Sequence, residues 1–151
     1  MTIYNLYIFH PQGHCIGYYE WHRPKRASVN PMEEFQLVHG LLTSVRSFNE
    51  KLSPLGPRQC CVSCTFGMSQ FKEYSTMKNR LHYFETATSL KFVMNTDLGA
   101  FGIEELLPKI YEQVYVPYVT GNPLAIKGEV IQSEIFRQKL EKLVQSHVSF
   151  A

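Results

Sequence analysis

Residues 60–64 read Cys60-Cys61-Val62-Ser63-Cys64, and Cys61 and Cys64 have the two-residue spacing that can hold a metal ion or exchange a disulfide. A structural zinc site needs two such pairs arranged in a tetrahedron. His10, His14 and Cys15 lie together early in the chain, but would complete a site only if the cysteine loop folded back over the opening strands. A redox thiol needs a lowered pKa, usually from a helix that begins directly after the cysteine. Here Gly56-Pro57-Arg58-Gln59 precede the cluster and Thr65-Phe66-Gly67 follow it, which reads as strand or loop. The cysteines are therefore expected to serve as small hydrophobes beside Val62, with a thiol redox protein using Cys61 and Cys64 as the enzymatic alternative. None of the six histidines stands with a serine or cysteine in a nucleophile motif, and no phosphate-binding glycine loop, nucleophile elbow or zinc-protease signature is present. Glu104-Glu105 opens a helical segment, where the helix dipole favours acids without any catalytic role. The expectation is a non-enzyme with no cofactor and no metal.

The chain of 151 residues has the length of one domain, and at 44% hydrophobic it can bury a core. A formal charge of +2 is too small to attract a phosphate backbone over distance, so nucleic acid is not an expected partner. The first residues carry no basic leader before the apolar run, and no stretch is long enough to span a bilayer. A soluble cytoplasmic protein with reduced thiols is expected.

The elements that must position any site can be read from periodicity. Ile3 to Phe9 and Cys15 to Trp21 form two aromatic and β-branched runs around Pro11-Gln12-Gly13, which predicts a hairpin. Both runs are almost continuously apolar, so these strands should be covered on both faces or central in a sheet, with helices packed against them. Asn30-Pro31-Met32-Glu33 supplies an N-cap, a first-turn proline and an acid three residues after the cap. From there Phe35, Val38, Leu41, Leu42, Val45, Phe48 and Leu52 recur in steps of three or four, predicting a long helix with this stripe toward the core, stopped at Ser53-Pro54. Arg80 to Thr86 and Leu90 to Asn95 predict two further strands joined by a tight turn at residues 87–89. Ile103 to Val119 predicts one helix ended by Gly121-Asn122-Pro123, and a last helix should begin near Ser133 and run past Val144. This order predicts an α+β, longin or profilin-like fold. It has a five-stranded, mainly antiparallel sheet, with one long helix on one face and two on the other. Aromatic residues make up 13% of the chain; most should fill the core, although Tyr18, Tyr19 and Trp21 crowd one strand, and such residues are also enriched at protein interfaces.

Several sequence words carry a more specific likeness: Asn5-Leu6-Tyr7-Ile8-Phe9, Glu20-Trp21-His22-Arg23, Gly40-Leu41-Leu42-Thr43-Ser44-Val45-Arg46-Ser47-Phe48, Leu81-His82-Tyr83-Phe84-Glu85-Thr86 and Val93-Met94-Asn95-Thr96-Asp97. With Asn122-Pro123-Leu124 and Gln132 to Arg137, they resemble the small sedlin-like longin subunits of the trafficking protein particle (TRAPP) complex, the subunit-one family. The resemblance covers one domain over residues 1–151 and lapses over a longer, divergent segment at about 55–80. It implies a non-catalytic subunit of a vesicle-tethering complex in ER-to-Golgi transport, cytoplasmic and peripheral at the Golgi apparatus and endoplasmic reticulum. It further implies binding to the palmitoylated-type small subunit and to a second longin subunit, in a core that acts as guanine nucleotide exchange factor for a Rab GTPase. Candidate interface residues are Trp21, His22, Arg23, Arg46, Asn95, Thr96 and Asp97. The small longin-type chain of a clathrin adaptor is the alternative from the same fold, although its usual words differ.

Overall fold

The computed structural model describes residues 2–22, 30–52, 72–126 and 128–147. Five strands form one antiparallel sheet in the order β2-β1-β5-β4-β3. They are β1 (Ile3–Phe9), β2 (Cys15–Glu20), β3 (Glu73–Ser75), β4 (Arg80–Glu85) and β5 (Lys91–Thr96). The opening hairpin and the β4–β5 hairpin fall where the sequence places them. The β4–β5 turn closes with Ser89 in the left-handed region (φ 62°) and the Leu90 N–H donating to the Thr86 hydroxyl at 3.1 Å. β1 is flanked on both sides, by β2 (Leu6 opposite Tyr19) and by β5 (Leu6 opposite Met94). That central position explains its almost unbroken apolar run.

Alternation along the strands divides the side chains between two layers. Leu6, Ile8, Phe92 and Met94 meet Leu106, Leu107, Ile110, Phe136 and Leu140 on one face. Those partners come from α2 (Ile103–Ile110) and α3 (Glu134–Gln145). Tyr7, Phe9, Leu81, Tyr83 and Val93 point to the other face, where they meet Leu42 of α1 (Pro31–Leu52). The predicted α+β architecture is the observed one. Ser133 caps α3, its hydroxyl accepting from the Phe136 N–H at 3.4 Å.

Three expectations change. The helix expected over Ile103 to Val119 is helical throughout, but after α2 it widens into a π-helical segment, Tyr111–Thr120. Pro108 and Pro117 each lack an N–H donor, and the Gly121 N–H reaches back five residues to the Val116 carbonyl at 2.9 Å. A Cβ on Gly121 would lie 2.7 Å from the Pro117 carbonyl oxygen, so this close approach requires glycine. Second, the α1 stripe is only partly directed at the core: Leu42 is buried and Phe35 and Val38 pack beside it, whereas Leu41, Phe48 and Leu52 are exposed. Third, β3 is an edge strand of three exposed residues that no apolar pattern announces. The Cys60–Cys64 cluster, and with it any chemistry of Cys61 and Cys64, lies outside the described residues.

Candidate functional site

α1 is fixed to the sheet by polar contacts near both of its ends. In its first turn Glu34 accepts from the Tyr7 hydroxyl at 2.7 Å, and Tyr7 accepts in turn from the Asn5 side-chain amide at 3.1 Å. Asn95 donates to Asn5 Oδ1 at 2.9 Å, so a hydrogen-bonded chain crosses from β5 through β1 to the helix. About three turns further on, Arg46 Nη1 donates to Glu85 Oε2 at 2.9 Å, and the same oxygen accepts from the Tyr83 hydroxyl at 2.9 Å. Burial, reinforced by the Glu85 carboxylate, pushes the Tyr83 phenol well above its ordinary range, so it remains a donor. Between these anchors His39 leans on the Phe9 ring and lies 3.4 Å from the Lys91 ammonium. Burial first, then the Lys91 charge, lower its pKa.

Held this way, α1 turns a second apolar stripe outward. Leu37, Leu41, Phe48 and Leu52 are 66%, 43%, 64% and 64% exposed. At about 100° per residue they lie on one side of the helix, roughly a quarter-turn from the Phe35, Val38 and Leu42 face. Gly40 opens directly to solvent beside them, with nothing within 4 Å of a Cβ built there. Exposed apolar strips of this kind are characteristic of protein-interaction surfaces. The sequence carried a signal for it: α1 has two adjacent apolar stripes, and one sheet face can bury only one.

The other residues singled out from the sequence fall into two groups. The end of β2, with Trp21 and His22, lies at the same end of the sheet as Asn95, Thr96 and Asp97, flanking the start of β1. Trp21 is half-buried against the α2/α3 core, and exposed His22 stacks on Tyr4 at 6.3 Å. Asn95 is half-buried in the polar chain described above, and Asp97 bonds through its N–H to the Thr2 carbonyl at 2.9 Å. Thr96 is 0% exposed, and its hydroxyl lies 2.9 Å from His82 Nε2. Its side chain therefore faces the interior of the sheet. Arg46 sits at the opposite end of the sheet, by Glu85, and does not join this group. Arg23 lies outside the described residues. Tyr111 and Tyr115 stack together at 5.8 Å and each meets the Phe92 ring edge-on, so both serve the core.

Among the described residues no three His, Cys, Asp or Glu side chains converge to hold a metal. No described helix is long and apolar enough to cross a membrane. Residues 3–147 match the model of the sybindin-like family. The chain belongs to that family. Trafficking protein particle complex subunit 1 of Homo sapiens is 43% identical to this sybindin-like chain over 146 residues, covering 97% of this chain and 94% of the relative. The protein of the same name from Dictyostelium discoideum is 32% identical over 149 residues, covering 99% of each. Trafficking protein particle complex subunit 4 of Bos taurus is 36% identical over 89 residues, which is 59% of this chain and 37% of that relative.

Proposed function

We propose that this chain is a non-catalytic subunit of the TRAPP vesicle-tethering complex. It docks through the outward stripe of α1 onto another small TRAPP subunit, the palmitoylated-type one, and also neighbours a second longin subunit. The observation that carries the docking site is α1 itself, anchored by Glu34 and Arg46 on one side while Leu37, Leu41, Phe48 and Leu52 stand exposed on another. The likeness to subunit 1 along nearly the whole chain supports the choice of complex. The assembled core acts in ER-to-Golgi transport as guanine nucleotide exchange factor for a Rab GTPase. This subunit works there from the cytoplasm, peripheral to Golgi and endoplasmic reticulum membranes, and contributes surface to the exchange reaction.

Co-expression with the other small TRAPP subunits tests this. The wild-type chain should co-purify with them. The Leu41→Asp/Phe48→Asp variant should not, while its melting temperature stays near wild type because both side chains are already exposed. A wild-type chain that co-purifies with none of them rejects the assignment to the complex. A double variant that still binds rejects the surface.

A further inference from the structure

A groove of about 520 Å³ runs between β2 and α3, away from the α1 surface. Its strand wall is the five consecutive residues Gly17 to Trp21, about 16 Å of extended chain. β2 is an outer strand of the sheet. The Ile131 N–H, donating to the Ile16 carbonyl at 2.7 Å, ties down the groove at the start of that strand. Tyr19 and Trp21 supply half-buried aromatic surface, and Leu140 an apolar floor. Burial pushes the Tyr19 phenol up to about 12, against the pull of the nearby Arg137 charge.

The charges along the groove are unequal. Glu134 and Glu141 line it, against Arg137 as the single cation among the described lining residues. Among the described residues Glu134 takes part in no ion pair, and Glu141 accepts from the neutral Gln145 amide at 3.2 Å and is in no ion pair. An elongated slot beside an outer strand accommodates an extended segment of four or five residues at about 3.3 Å each. Aromatic faces next to carboxylates select a guanidinium or ammonium group on that segment.

We infer that the β2–α3 groove binds an extended basic segment of a partner protein, with an arginine or lysine side chain laid over Trp21 and countered by Glu134 and Glu141. The surface is separate from the α1 stripe and does not depend on which complex the chain joins.

Trp21 is the only tryptophan in the sequence, so its fluorescence reports occupancy directly. The full chain is titrated with an acetylated five-residue peptide amide alternating arginine and leucine, and in parallel with the same peptide carrying glutamate in place of arginine. The arginine peptide should give a saturable change that weakens with added salt, and the glutamate peptide none. Glu134→Gln/Glu141→Gln should raise the Kd roughly three- to tenfold while lowering the melting temperature only slightly, through the lost first-turn acid of α3. No saturable response, equal responses to the two peptides, or an unchanged Kd in the double variant would each overturn the inference. So would a stronger response to phosphatidylcholine vesicles than to the arginine peptide, which would make a choline headgroup the ligand.

Discussion

The two faces of the sheet are built by different means. On the α2/α3 face, aliphatic side chains close around Phe92 and Phe136, both 0% exposed. On the α1 face the buried set is smaller: Tyr7, Phe9, Leu42, Leu81, Tyr83 and Val93. Its two tyrosines each donate to a carboxylate, Glu34 and Glu85. Dispersion and exclusion of water hold the first layer, whereas directional bonds hold the second and set the rotation of α1. A helix oriented by a few polar anchors can leave an apolar stripe outside, and α1 does so. The difference separates a layer that stabilises the fold from one that presents a surface.

The largest test of this contrast is a pair of truncations. Leu140→Ala in the α2/α3 layer should cost about 3–5 kcal/mol of unfolding free energy, and Leu42→Ala about 2–3 kcal/mol, because fewer buried neighbours surround Leu42. Urea unfolding measures both, and equal losses would remove the distinction between the faces. Next, Tyr7→Phe takes the donor from Glu34 and the acceptor from Asn5 while keeping the ring. A loss of about 1–2 kcal/mol is expected, and no loss would mean that the Glu34 anchor does not hold α1.

A smaller effect distinguishes the faces by pH. His82, 3% exposed beside Thr96, has its pKa lowered, first by burial. The unfolded chain then takes up a proton before the folded one does, so His82 favours the folded state above about pH 6.5 and that contribution fades as pH falls. His82→Gln should flatten the decline of the urea midpoint below pH 6.5. His39→Gln, on the more open α1 face, should flatten it less. Smallest of all, Arg46→Ala should cost less than about 1 kcal/mol, since the guanidinium is 45% exposed and Tyr83 still serves Glu85. A larger loss would make this anchor the main support of the helix.

Much of the fold was legible in the sequence because burial leaves a period. The continuous runs of β1 and β2, the Asn30-Pro31 start of α1 and the Ser133 start of α3 each follow from local chemistry. β3 was not legible, since Glu73-Tyr74-Ser75 buries nothing. Nor was the π-helical segment, because Val114, Tyr115 and Val119 fit a helical stripe at either width. The site was half legible. Leu41, Phe48 and Leu52 were noticed, but periodicity reports that a residue avoids water without saying whether its own sheet or another chain covers it. Thr96 shows the reverse: a polar residue at a strand end looks exposed, yet its side chain is buried with the hydroxyl against His82.

The pairing of β1 with β5 also fixes a timetable. Ile8 lies opposite Phe92, so β1 meets its inner neighbour only after about eighty more residues have been added. At about 5–20 residues per second that wait lasts several seconds or longer. Until β5 arrives, β1 and β2 are a two-stranded ribbon, too small to be stable alone. The polar chain from Asn95 through Asn5 and Tyr7 to Glu34 cannot close before then. α1, though synthesised early, therefore takes its final orientation late, and its outward stripe becomes a defined surface only once most of the chain has been made.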